Sequence, residues 1–443
     1  MQNPRKLSLN ILLNIEKNSS YINIELDNAL KKSELSSLDK RFVTELVHGV
    51  TKWKIYLDYV IFLYSGIKKQ KMSDVCLNTL RLGVYQILFL DKVPDSASVN
   101  ESVKLVKKSP NPRIPGFVNG ILRTVIRNRD KIELPKDKTE YLSVKYSYPT
   151  EITDVLVSLL GFDECEQFMK AQCERASVYL RCNKTKITRD ELLEKLKDKI
   201  KATAYENSIF PALDYCIRSE KMTSLSDMDE FNKGYFYVQD ISSSVIGEVM
   251  NPKKDSLVID VCAAPGGKTT HIAEKMEGTG KVIAFDKHPH KIRLIEDNAK
   301  RLGLDNISAM CFDSKNTSAD FIEKADYVLV DAPCSGLGII SRKPDIKYSV
   351  TKEDIKNLSE ESYKILCASS PYVKKGGTLI FSLCTVTKEE SIMNVERFLK
   401  EHSDFYPEKI DCINIDNEGY VTLLPHRHMC DGFFVCRMKR KDM

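Results

Sequence analysis

The chain has 443 residues, 42% of them apolar and 29% charged, with thirteen cysteines and a net charge of +5. That length suits two to four domains with cores of their own, and the composition is that of a soluble globular protein. No apolar run reaches about eighteen residues, no C-x-x-C pair occurs and no signal segment is apparent, so a membrane span is excluded and a reducing, cytoplasmic setting is expected.

Charge is unevenly placed. Residues 1–140 hold 24 Lys and Arg against 15 Asp and Glu, which makes the front basic and the remainder slightly acidic. A basic module on a near-neutral body suggests contact with a polyanion, although a solvated lysine-rich face would look the same. In "RFVTELVHGVTKW", Phe42, Leu46, Val50 and Trp53 recur at helical spacing, as do Phe117, Ile121, Leu122 and Val125 in "GFVNGILRTVIRNR". Ser98 and Glu101 have capping-box spacing. Residues 1–132 therefore read as an all-α helix bundle, and the polar, proline-containing Glu133–Glu140 as a linker.

Residues 141–237 read as a small α+β module, with strands in "SVYLRCN" and "YFYVQD" and a helix in "RDELLEKLKDKI". From 238 to 443, strand-like runs alternate with helical stretches: "SLVIDVC", "KVIAFD", "ISAMCFD", "DYVLVDAP", "GGTLIFSLC" and "GFFVCRMKR". That alternation predicts right-handed crossovers and a mostly parallel, doubly wound α/β sheet of Rossmann-like type.

"CAAPGGK" enters a helix from the first of these runs, yet it is not a phosphate loop. The pattern requires glycine five positions before Gly267, and Cys262 stands there. Asp260, Asp286, Asp313 and Asp331 fall at or just beyond successive strand ends, where such sheets hold ligands; any one of them alone would read as a helix cap. Asp286 is placed to accept hydrogen bonds from ribose hydroxyls. Without a G-x-G-x-x-G turn to cradle a pyrophosphate, an adenosine compound free of phosphates, such as S-adenosylmethionine, fits best.

Cys334 in "DAPCSGLG" and Cys384 in "FSLCTVTKEE" follow consecutive strands, so two thiols converge on one sheet edge. A free cysteine is usually a small buried hydrophobe, and that reading serves most of the other eleven. A pair at adjacent strand ends suits pyrimidine methylation, in which a thiolate adds to C6 and turns C5 into a nucleophilic enamine carbon. Arg342 and Lys343 are candidates to acidify a thiol or to hold a phosphate. His426, His428 and Cys430 match no structural zinc spacing and read as a surface loop, so no metal is expected. His271 reads as packed or solvated, and Tyr235, Phe236 and Tyr237 as strand core or base-stacking residues.

"CAAPGGK", "DAPCSGLG" and "FSLCT", in that order and spacing, resemble the RNA cytosine-C5 methyltransferases. The front motifs "DKRFVTELVHGV", "SVNESVKLVKK" and "FVNGILR" resemble the NusB-like domain of antitermination factors. Their fusion resembles the bacterial 16S rRNA (cytosine-C5) methyltransferases over essentially the whole chain. The resemblance implies a NusB-like RNA-binding bundle, a small RRM-like α+β module and an S-adenosylmethionine-dependent catalytic domain. It implies that Cys262, Ala263, Ala264, Pro265, Gly266, Gly267 and Lys268 line the methionine and ribose side of the cofactor. Asp286 would hold the ribose, Asp313 the adenine side, and Asp331 would stand between cofactor and target base. By the same resemblance Cys384 is the nucleophile and Cys334 the product-release thiol.

Two positions depart from the family pattern, with Leu383 where threonine is common and Ser391 where asparagine is common. The expected partner is RNA, foremost small-subunit ribosomal RNA, acted on by a monomer. A transfer-RNA methyltransferase and a non-catalytic ribosome-assembly protein are the alternatives.

Overall fold

The computed structural model describes residues 2–18, 22–67, 69–222 and 224–442. They divide into two compact units, Met1–Cys173 with Lys343–Ser349, and Glu174–Arg342 with Val350–Met443.

The first unit is all helical. Asp74–Phe89 is its central helix, with every residue from Cys76 to Ile87 buried. Around it pack Pro4–Asn18, Ser37–Lys52, Lys54–Ser65, Asp95–Val106 and Ile114–Asn128. A charge sits at the centre of this apolar cluster: the Arg81 guanidinium is 1% exposed. It donates to both Asp58 carboxylate oxygens, at 2.6 and 2.8 Å, and to Glu16 at 2.7 Å, the pairing that a buried cation requires. Burial opposes ionisation of Glu16, but Arg81 and Lys54 prevail and hold its carboxyl down at about 2.

The structure moves two predicted features of this unit. The helix containing Ser98 begins earlier, at Asp95 after Pro94, so Ser98 lies inside it, buried, and caps nothing. The last three residues of the expected linker are helix: Asp137 caps Lys138–Tyr146 by accepting from the Glu140 amide at 2.9 Å. That helix, Thr150–Leu160 and Phe162–Cys173 all belong to the first unit, so the region from 141 to 173 is helical rather than the start of an α+β module.

Lys343–Ser349 returns to this unit from far along the chain. Lys347, fully buried, donates from Nζ to the carbonyls of Lys52 at 2.7 Å and Tyr146 at 3.1 Å. Both carbonyls end helices, where no intrahelical donor reaches them, and Lys347 is the donor they share.

The second unit opens with four antiparallel strands, β1 (Val178–Cys182), β2 (Ala202–Ala204), β3 (Cys216–Ser219) and β4 (Phe236–Val238), in the order β2-β3-β1-β4. Arg189–Ile200 packs on them, its start fixed by a capping box between Thr188 and Glu191. Then follow β5 (Leu257–Asp260), β6 (Lys281–Asp286), β7 (Ile307–Cys311), β8 (Ala325–Asp331), β9 (Val373–Leu383), β10 (Phe405–Pro407), β11 (Tyr420–Leu423) and β12 (Phe433–Arg440). These build one sheet in the order β10-β12-β9-β8-β5-β6-β7. The five strands from β5 to β9 run parallel, as the alternation predicted, and β12 lies antiparallel beside β9. β11 and β10 pair in tandem along the other edge of β12. Both modules fall within one compact unit, each with a sheet of its own.

Candidate active site

The crossovers lead from β5 outward to β6 and β7, then return to β8 and continue outward to β9. The carboxyl ends of β5 and β8 therefore mark the switch point, where an open α/β sheet forms its crevice. Asp260 ends β5, Asp286 ends β6 and Asp331 ends β8, while Asp313 lies two residues past β7.

A cleft of about 210 Å³ opens there. Cys262, Ala264, Asp286, Asp313 and Asp331 line it, with Phe312 and Ile365 as apolar walls. Ala263, Pro265, Gly266, Gly267 and Lys268 are not part of that wall; they shape the turn behind it. The Gly266 amide donates to the Ala263 carbonyl at 2.7 Å, and the Pro265 carbonyl accepts from Asn298 at 3.0 Å. Gly266 sits at φ +102°, a conformation that side-chain-bearing residues rarely adopt.

Asp260 is fully buried. Its Oδ2 accepts from Thr269 at 2.7 Å, whereas Oδ1 has no hydrogen-bond partner. Burial foremost, with the charge of Asp331 added, pushes its carboxyl up to about 7. Burial likewise raises the Cys262 thiol well above its ordinary range.

The two thiols meet. Cys334, in the loop after β8, and Cys384, the first residue after β9, bring their sulfurs to 3.1 Å. Contact with Cys384, then burial, holds the Cys334 thiol well above its usual range. The nearby cation is Lys268, which donates to Asp331 Oδ2 at 2.7 Å; Asp331 Oδ1 accepts from Ser382, its register partner on β9, also at 2.7 Å. Burial works against the Lys268 charge, but Asp331 and then Cys384 outweigh it and raise its pKa. Lys268 and Cys384 therefore interact electrostatically.

Arg342 does not take that role. It pairs with Asp240 and Asp431, at 2.5 Å each, and Lys343 belongs to the segment that joins the helical unit. His271 is packed: it is buried, with Nε2 3.0 Å from the Tyr215 hydroxyl. His428 Nδ1 accepts from the Leu424 amide at 2.7 Å, and Cys430 is buried. Among the described residues no group of three or more His, Cys, Asp and Glu is placed to hold a metal ion, and no helix is long and apolar enough to cross a membrane. Phe236 is fully buried strand core, and Tyr237 lies over the Arg181 guanidinium, 5.2 Å from its centre.

Two contributors, Arg181 and Glu390, escaped the sequence reading, and Lys268, expected there to line the cofactor, was not foreseen as the ion-pair partner of Asp331. Arg181 on β1, 0% exposed, donates to both carboxylate oxygens of Glu274, to Thr270, to Gln239 and to the Gly267 carbonyl at 2.7 Å, which ties the four-stranded sheet to the glycine turn. Glu390, also fully buried, binds the loops of both thiols. The departures from the family pattern are accommodated: Leu383 is buried in the sheet core, and the Ser391 hydroxyl donates to the Thr387 carbonyl.

Probable ribosomal RNA small subunit methyltransferase B of Bacillus subtilis is 36% identical over 99% of this chain and 98% of its own length. The chain belongs to the ribosomal RNA small subunit methyltransferase B family. The family model for 16S rRNA methyltransferase RsmB/F matches residues 247–439, and that for the NusB family matches residues 2–127. Among solved structures, PH0851 is 25% identical with a TM-score of 0.81 and covers 99% of both chains. NSun6 from Pyrococcus horikoshii, solved with SFG, is 25% identical with a TM-score of 0.59 over 67% of this chain and 99% of its own. As a member of the methyltransferase B family, the chain is a methyltransferase that uses S-adenosylmethionine, with a NusB domain in front.

Proposed function

We propose that this protein methylates C5 of a cytosine in small-subunit ribosomal RNA, with Cys384 as the nucleophile and Cys334 as the thiol that assists release. The observation that carries the reading is the 3.1 Å approach of the two sulfurs beside the Lys268–Asp331 pair. The small-subunit substrate follows the name of the Bacillus subtilis relative.

The residues at the switch point fit the cofactor. Asp260 Oδ1, buried without a donor, suits the ammonium of its methionine portion, and Asp286 suits the ribose hydroxyls. Phe312 and Ile365 offer an apolar flank to the adenine, with Asp313 at that end. When bound, S-adenosylmethionine supplies an electrophilic methyl group on a sulfonium.

The thiolate of Cys384, with Lys268 beside it, forms a bond to C6, and the C5–C6 π electrons move to C5. Asp331 binds the pyrimidine at N3 or the exocyclic amine and sets C6 over the sulfur. Once C5 carries the methyl group, Cys334 helps take its proton, the C5–C6 double bond re-forms and the C6–S bond breaks, which returns the Cys384 thiolate. The base must leave its stack to reach this edge, so the RNA is gripped by phosphate contacts with the basic helical unit while one cytosine is splayed out.

Tritium transfer from methyl-labelled S-adenosylmethionine to small-subunit rRNA and to bulk tRNA, with wild type, Cys384→Ala and Cys334→Ala, tests this. We expect 5-methylcytidine in rRNA alone, abolished by Cys384→Ala. Near-normal turnover by that variant removes the mechanism, and label in tRNA alone replaces the substrate.

A further inference from the structure

The second of the paired glutamates, Glu390, is a carboxyl group with 0% of its surface exposed and no cation at hydrogen-bonding distance. Its partners are hydroxyl and amide donors. Oε1 accepts from the Ser335 amide at 2.6 Å. Oε2 accepts from the hydroxyls of Ser335 at 2.6 Å, Thr385 at 2.9 Å and Thr387 at 2.6 Å. Ser335 directly follows Cys334, and Thr385 directly follows Cys384. One side chain thus holds the neighbour of each thiol. The Ser335 and Thr385 hydroxyls also touch each other at 2.9 Å, and the Gly338 amide donates to the Cys384 carbonyl at 3.1 Å, so the two loops are stitched at several points.

A carboxyl group is costly to bury, and hydrophobic packing alone would place an apolar side chain here. Hydroxyl donors to a shared acceptor fix direction as well as distance, because each has a single proton to give. The segment carrying Glu390 is itself pinned: the Ser359 hydroxyl donates to the Glu389 carbonyl at 2.6 Å, and Asn394 donates to the Glu390 carbonyl at 3.2 Å. Ser359 lies on the helix Lys352–Ser369, so the anchor reaches back to a helix of the second unit.

We propose that Glu390 is the positioning residue that sets the separation of Cys334 and Cys384, and so lets one thiol assist the reaction begun by the other. The inference rests on the reading of these two cysteines as the reacting groups. Glu390 touches no reacting atom and acts through Ser335 and Thr385.

The test uses the full chain and a probe that reports the separation directly. Phenylarsine oxide bonds two sulfurs at once, with loss of one water, only where two thiols stand side by side. Peptide mapping then shows whether Cys334 and Cys384 are bridged, and S-adenosylmethionine titration shows that the fold persists. Wild type should bridge. Glu390→Ala should lose the bridge and about 100-fold in turnover, with cofactor affinity within about threefold of wild type. Glu390→Gln, which keeps the volume but puts an N–H₂ donor against donors, should fall between.

Retention of both bridge and turnover by Glu390→Ala overturns the proposal, as does failure of wild type to bridge. If Glu390→Ala does not fold, Thr387→Val and Ser335→Ala each remove one of the donors, and unchanged bridging rates in both would overturn it equally. A wild type that bridges but methylates no cytosine removes the cytosine-C5 reading and leaves standing only that Glu390 sets the spacing of the two thiols.

Discussion

Lys268 donates to Asp331 at 2.7 Å across the switch point, joining the helix that follows β5 to the end of β8. Asp331 foremost, and Cys384 after it, hold Lys268 charged against its burial. Replacing Lys268 by methionine should therefore slow alkylation of Cys384 by iodoacetamide at neutral pH by about tenfold, read by peptide mass spectrometry. Methyl transfer should fall by about 100-fold. Thermal stability should change little, because Asp331 keeps Ser382 and is partly exposed. An unchanged alkylation rate would show that the ammonium does not activate the thiol.

Arg181 and Glu274 form a buried pair, 0% and 6% exposed, with contacts at 2.9 and 3.0 Å. Arg181→Met strands the Glu274 carboxyl group and should cost about 3–5 kcal/mol of unfolding free energy in a denaturant titration. Adding Glu274→Leu removes the stranded group and should restore more than half of that loss. Additive losses in the double variant would contradict the pairing.

Gly266 provides the third case. At φ +102°, alanine forces a strained backbone at the cofactor turn, worth about 1–3 kcal/mol. Gly266→Ala should lower Tm by a few degrees and weaken S-adenosylmethionine binding by about tenfold in calorimetry. Cofactor affinity equal to wild type would show that the turn tolerates the side chain.

Lys347 links stability to pH. Burial lowers its ammonium from 10.5 to about 7. With the folded value below the unfolded one, the folded state sheds its proton first, so between these limits the unfolded state binds more protons. The contribution is fully present above 10.5 and is lost as pH falls through 7. Unfolding free energy of the helical unit should rise between pH 7 and pH 10 by up to about 4 kcal/mol, and Lys347→Met should flatten the rise. Parallel pH profiles for wild type and variant would remove Lys347 as its source.

The parallel sheet and the aspartate ends were legible because a doubly wound sheet writes itself as apolar runs closed by polar residues, and the two thiols fall at the ends of such runs. Glu390 was not legible. In "TKEES" it looks like one more solvated charge, and its burial depends on two loops that meet only after β8 and β9 pair. Arg181 was hidden for a similar reason: β1 is covered on both faces, so no alternation marks the arginine as inward. Arg342 misled in the opposite direction, since nearness to Cys334 in sequence suggested a partnership that the ion pairs with Asp240 and Asp431 replace. The polar stretch Glu133–Glu140 looked like a linker because a helix start uses the same residues, with Asp137 as the cap.

The return of Lys343–Ser349 to the helical unit means that the polypeptide passes between its two units three times, after Cys173, after Arg342 and after Ser349. A gene cut after Cys173 would release a fragment that lacks Lys347 and leaves the last carbonyls of two helices, at Lys52 and Tyr146, without the donor they share in the whole chain. The front module is therefore no cassette to be excised or transplanted along a single seam. Any graft that is to keep its structure must carry a seven-residue piece of the distant sequence with it.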